Sequence, residues 1–266
     1  MPRISKRFLE RFKAQFRRYQ KVLQSARTRD VNESDTVVII SDFLGDVLGY
    51  DKYQDLTTEF AVRSTFCDLA IKCDGRLCYL IEVKSIGTDL KDTHLRQAID
   101  YGAKEGCEWV ILTNGVEWQA HRIRFEQPVD SDLVFSLDLL NPDVKPAQLA
   151  AQLYLIAKET SPGKDIERYW RQRQATSRFV VAQVLLHDDL LSALRRQIRR
   201  LSPDVKVSRD ELAALLCGEV LKRDVLEGDK ADAAASLVKK LARRRARKQA
   251  AKTGEHPVPL SAPANP

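Results

Sequence analysis

Little in these 266 residues belongs to a secreted or membrane-bound chain. The five cysteines are an odd number, none stands in C-x2-C spacing, and no secretory leader is read ahead of them. Neither a disulfide framework nor a zinc site is expected, and reduced thiols in a cytoplasmic protein are. No apolar run approaches the roughly 20 residues that a membrane-spanning helix needs. The arginine-rich start is aromatic-rich and poor in serine, unlike a transit peptide. No G-x4-G-K-[ST] occurs, so this sequence carries no ATP-driven motor of its own. What is present, 44% hydrophobic and 30% charged residues, suits one or two soluble globular domains with a full core.

The net charge of +7 is strongly segregated. Residues 1–29 carry ten Lys/Arg against Glu10 alone, and residues 239–252 carry eight with no acid. With +9 and +8 at these two stretches, the rest of the chain stands at −10. A basic arm at each end of an acidic body fits a polyanionic partner that the body alone would repel, and nucleic acid is the expected one. No membrane partner is expected.

The pattern predicts four segments. Residues 1–29 form an amphipathic helix, with Phe8, Phe12, Phe16, Tyr19 and Leu23 on one face and Arg11, Arg17, Arg18 and Lys21 on the other. That helix can lie on phosphates, on a membrane surface or against its own domain. Residues 30–141 read as a mixed α/β domain. Asn32 caps a helix that stops at Gly49, a strand covers 57–62, and residues 63–65 turn into a hairpin. A helix follows at about 93–104, then strands at 108–113 and 116–123 around Asn114-Gly115, and an edge strand at 133–139. Trp109 and Trp118 are expected in the core. After a linker at 141–146, residues 142–251 are helical with a basic end: 147–158, 166–186, 189–201, 209–226 behind the Ser208-x-x-Glu211 capping box, and 230 onward. No cluster there suggests chemistry, which leaves a substrate-positioning or oligomerisation module, and so a homo-oligomer, open. His187 is taken as a polar residue between helices, and residues 252–266 as a disordered tail.

The chemistry sits at 67–101. Two apolar runs, 67–72 and 77–83, are joined through Asp74-Gly75, a strong signal for a tight hairpin because both residues tolerate positive φ. Glu82 and Lys84 share a strand face, and Asp68 falls about opposite Glu82. Packing does not account for charges within strands as apolar as L-A-I and Y-L-I, but a divalent cation held between carboxylates does. Gln97 and Tyr101, four apart, stack on one helical face, suited to contacts with substrate or with Lys84. Glu33 is either a first-turn acid satisfying its helix dipole or a third carboxylate at this site.

The spacing Asp68-x13-Glu82-x-Lys84 resembles the PD-(D/E)xK nuclease signature, and Gln97-Ala-Ile-Asp-Tyr101 the Q-x3-Y motif that often follows it. The order of Asn32-Glu33, L-G-Y-D at 48–51, and Leu112-Thr-Asn-Gly115 ahead of Trp118 is similar to the N-terminal domain of type I restriction enzyme R subunits, across roughly residues 32–123. The departure is that no proline precedes Asp68.

The resemblance implies a restriction-endonuclease-like mixed β-sheet core flanked by helices, followed here by an α-helical C-terminal region. It implies Mg²⁺-dependent hydrolysis of DNA in defence against foreign DNA, with Mn²⁺ able to substitute. Asp68, Glu82, the Val83 carbonyl and Glu33 would hold the metal, while Lys84, Gln97 and Tyr101 act with Asp68 and Glu82 in catalysis. A helicase, translocase or specificity subunit would come from another chain. The competing expectation is a non-cleaving DNA-binding or scaffold module that recruits such a partner.

Overall fold

A computed structural model describes residues 3–62, 65–160 and 163–253. The chain divides into two compact units, Met1–Trp170 and Arg171–Pro266.

The first unit opens with α1 (Lys6–Thr28), capped by the Ser5 side chain, and α2 (Glu33–Asp46), capped by Asn32, whose Oδ1 accepts the Asp35 N–H. Then come β1 (Leu56–Val62), β2 (Thr65–Cys73), β3 (Arg76–Val83), α3 (Asp92–Glu105), β4 (Trp109–Thr113), β5 (Glu117–Arg124), β6 (Asp130–Asp138) and α4 (Pro146–Tyr154). The six strands form one sheet in chain order. Every neighbouring pair is antiparallel except β3 and β4, which run parallel because α3 carries the chain across between them.

The sheet is covered on both faces, as the alternation along its strands requires. On one face Leu69, Ile71, Tyr79, Ile81, Val83, Ile111 and Trp118 meet the aromatic stripe of α1 and the apolar sides of α2 and α4. On the other, Ala70, Leu80, Val110 and Ile123 meet Ala98, Ile99 and Tyr101 of α3. Trp109 and Trp118 are both buried, as their place in the strands predicts. The expected linker at 141–146 lies inside this unit, because Leu149, Leu153, Leu155 and Ile156 beyond it are core residues. So does the start of α5 (Lys164–Ala175), through Ile166.

The second unit holds α6 (Arg178–Leu185), α7 (Asp188–Leu201), α8 (Arg209–Leu215), which runs into a single wider π turn at Leu216–Val220, and α9 (Asp229–Thr253). α6 lies against α9, and α7 against α8. The helix expected over 166–186 is broken at Ser177, whose hydroxyl accepts the Val180 N–H and restarts the helix there. His187 lies between α6 and α7 as expected, where it is the N-cap of α7, its Nδ1 accepting the Asp189 N–H. The helix expected to reach 226 stops at Val220. Residues 63–64 of the expected turn and residues 161–162 lie outside the described residues; of the tail expected at 252–266, Lys252 and Thr253 end α9 and 254–266 lie outside the described residues. Among those described, no helix is long and apolar enough to cross a membrane.

Candidate active site

The hairpin turns on Asp74 and Gly75, both at positive φ (51° and 75°), the geometry a two-residue connection needs to follow the strand twist. Next to it Cys73 pairs with Arg76 and Lys72 with Leu77, and then the register shifts, so that Ile71 pairs with Tyr79 and Leu69 with Ile81. Cys78 is the extra, bulged residue. One step further along, the shifted register sets Asp68 beside Glu82; an unbroken ladder from the same turn would have paired it with Ile81.

The regular ladder stops at Leu69. The Asp68 side chain continues it, Oδ2 accepting the Val83 N–H at 2.7 Å. Glu82 is 2% exposed, with Oε1 accepting from Lys84 Nζ at 2.7 Å and Oε2 buried without a hydrogen-bond partner. Lys84 also lies 3.6 Å from Glu33 Oε2, where Glu33 begins α2. Glu33 is thus a first-turn acid of α2 whose carboxylate also lies within ion-pair distance of Lys84.

The charges work on one another. Burial raises Asp68, and the Val83 N–H and Lys84 offset part of this. Burial pushes Glu82 up to about 7; Lys84 opposes the shift, while Asp68 and Glu33 add to it. Burial works against the Lys84 ammonium, yet its bond to Glu82 and the charges of Glu33 and Asp68 outweigh this and raise it. Three acids around one lysine leave the pocket short of positive charge. Glu82 Oε2 is the atom that shows it, and the available donors are hard oxygens, which fits Mg²⁺ or Mn²⁺. Among the described residues, no group of three His, Cys, Asp or Glu is gathered closely enough to hold an ion in this arrangement.

Gln97 and Tyr101 sit on α3 as expected, the Gln97 amide donating to the Tyr101 hydroxyl at 2.9 Å. Among the described residues their hydrogen bond is to each other and not to Lys84.

Two supports escaped the sequence. Asn114, given no role at the site by the sequence, donates from Nδ2 to the Thr88 carbonyl and so pins the loop that follows Lys84. On β5, Gln119 donates to Glu117 and lies 3.3 Å from His121 Nε2. Glu82 pairs with Leu112, and Leu112 with Gln119, so this polar row shares the sheet face of Glu82. His121 is buried, its Nδ1 has no partner, and burial lowers it to about 4. Polar residues at alternate positions of a central strand were the available signal.

No family model matches the chain, and neither a curated protein nor a solved structure matches it.

Proposed function

We propose that the chain is a metal-dependent DNA endonuclease with a restriction-endonuclease-like core, acting in defence against foreign DNA. One observation carries this reading: Glu82, a carboxylate buried to 2% exposure beside Asp68, with one oxygen on Lys84 and the other unpartnered. Burying such a group costs several kcal/mol unless something recovers it, and a functional site is where that cost is accepted.

Asp68, Glu82, Glu33 and the main-chain carbonyl of Val83 are the groups that would hold Mg²⁺, or Mn²⁺ in its place. When bound, the ion supplies an acidified water and offsets charge on the phosphate. The chain's own contribution is positional and electrostatic. Lys84, kept charged by its carboxylate neighbours, is a fixed cation able to steady a phosphate oxygen or orient the attacking water. Gln97 and Tyr101, locked together, present an amide and a hydroxyl as a unit for the substrate. These 266 residues carry no P-loop, so any ATP-driven translocation or target specificity would be supplied from outside them.

The test is cleavage by the full-length protein, with Mg²⁺ or Mn²⁺, of supercoiled plasmid, linear duplex, single-stranded DNA and RNA. Metal-dependent nicking of DNA that Glu82→Ala abolishes is expected. Cleavage that ignores either the metal or the substitution rejects the assignment.

One observation favours a second reading, a non-cleaving DNA-binding or scaffold module. Lys84 already neutralises Glu82 at 2.7 Å, and a site closed by its own lysine can be purely structural. Duplex binding that persists without cleavage under either metal decides for it.

A further inference from the structure

The basic face of α1 has no role in the site at Asp68, Glu82 and Lys84. Its opposite face is fully used: Phe8, Phe12, Phe16, Tyr19 and Leu23 are each at most 4% exposed. Two of its arginines are engaged within the protein, Arg11 with Glu159 and Arg18 with Asp46. Arg17, Lys21 and Arg27 are exposed and, among the described residues, make no ion pair. This is so although residues 30–170 hold 25 Asp/Glu against 14 Lys/Arg, an acidic body that offers partners in excess.

These three bases are not scattered. With Gln20, Gln24 and Leu140 they line one open groove of about 740 Å³. Arg17, Gln20, Gln24 and Arg27 follow one another at spacings of three, four and three, and Lys21 lies four beyond Arg17, which puts all five on one side of the helix. The groove is rigid, since Gln20 Nε2 donates to the Leu139 carbonyl at 3.0 Å and the aromatic stripe anchors the helix from behind. It also leads toward the acidic site. Just past the end of α1, Asp30 stands against Gly87, so close that a Cβ there would collide with its carboxylate, and Gly87 is three residues beyond Lys84.

We infer that this groove is a phosphate-backbone track, gripping nucleic acid alongside the site at Asp68, Glu82 and Lys84; the inference rests on the nuclease reading for its choice of DNA. A membrane surface is the other polyanion a basic amphipathic helix can meet, but that mode needs a free apolar face, and α1 has spent its own on the core. What remains is charge alone, on a helix fixed in place, which suits a sequence-independent grip on phosphates.

The test is equilibrium binding of the full chain to labelled duplex DNA in EDTA over a range of salt. The variants are Arg17→Gln/Lys21→Gln/Arg27→Gln and a charge-keeping Arg17→Lys/Arg27→Lys. The neutral variant should bind at least about tenfold more weakly, and its slope of log K against log salt should flatten by about 1 for each phosphate no longer neutralised. Its melting temperature should hold, because the three side chains are exposed, and the lysine variant should bind like wild type. A parallel loss on duplex RNA means that the groove reads the backbone of either nucleic acid, which the inference accommodates. Unchanged DNA binding by the neutral variant, or a loss seen only on anionic vesicles, overturns it. Binding is read without metal, so the two readings fail separately. A protein that grips DNA through the groove but never cuts defeats the nuclease assignment alone. One that cuts and binds equally well without the three charges defeats the groove alone.

Discussion

The Asp68 carboxylate accepts the Val83 N–H at 2.7 Å and stands in for a main-chain carbonyl where the β2–β3 ladder ends. One side chain thus closes a strand pair and contributes charge to the site, and the two roles come apart by substitution. Asp68→Asn keeps an oxygen for Val83 and should melt close to wild type. Asp68→Ala leaves a main-chain N–H without its partner, at a cost of about 1–3 kcal/mol. Both should lose metal-dependent cleavage. Thermal melts beside plasmid nicking decide the matter; an Asn variant that cuts at the wild-type rate removes Asp68 from the catalytic set.

Glu82 makes the metal-free protein sensitive to pH in a definite direction. Burial raises its folded-state value to about 7, above the ordinary 4.5. The folded protein therefore holds this proton more tightly than the unfolded chain, and stability falls as pH rises from about 4.5 to about 7. The loss contributed by this group is at most about 3 kcal/mol. Urea titrations of wild type and Glu82→Gln across that window, in EDTA, are the measurement. The Gln variant should lack this share of the decline and be the more stable of the two at pH 8. Parallel curves would show that Lys84 fully compensates the buried charge.

The sequence made the hairpin legible because its signals are local: Asp74-Gly75 for the turn and alternating apolar runs for the strands. The helices of the first unit and the helix α3 between parallel strands were legible for the same reason. The bulge at Cys78 was not. Leu77-Cys78-Tyr79-Leu80-Ile81 reads as an uninterrupted apolar run, and only pairing with β2 reveals the extra residue that brings Asp68 beside Glu82. Glu59, at φ 47°, is hidden in the same way, a left-handed residue inside what reads as plain strand. The break at Ser177 is written in the sequence as a cap residue, but no Gly or Pro punctuates 166–186 to mark it.

Tyr101 separates packing from function on α3. It is 7% exposed, and its hydroxyl accepts the Gln97 amide at 2.9 Å. Tyr101→Phe keeps the ring in the core and removes one neutral hydrogen bond, a net cost of about 1 kcal/mol. If the pair serves the substrate, cleavage should fall at least about tenfold while the melting temperature shifts by only a few degrees. Gln97→Ala should match it, and the double variant should add little, because the two act as one unit. Full activity in Tyr101→Phe makes the pair part of the packing.

Gly49 shows how the placement of α1 depends on a distant backbone position. It sits at φ 85°, past the end of α2, with the Arg11 guanidinium packed on it so closely that a Cβ would stand 2.6–2.9 Å from its atoms. Arg11 is fixed there by donating to the Val47 carbonyl at 2.8 Å and to Glu159 Oε2 at 2.9 Å. Burial works to raise Glu159, but Arg11 outweighs it and holds the carboxyl below its usual range, so this ion pair is lost only as pH falls through the lowered value. Gly49→Ala therefore faces two costs, a left-handed backbone that alanine resists and the displacement of a half-buried ion pair, together about 2–4 kcal/mol. A cycle with Arg11→Met tells them apart. If the collision dominates, alanine should be markedly less costly in the Met background; if the backbone dominates, its cost will be the same in both. Denaturant melts at neutral pH give the coupling, and a value within about 0.5 kcal/mol of zero would assign the whole effect to φ.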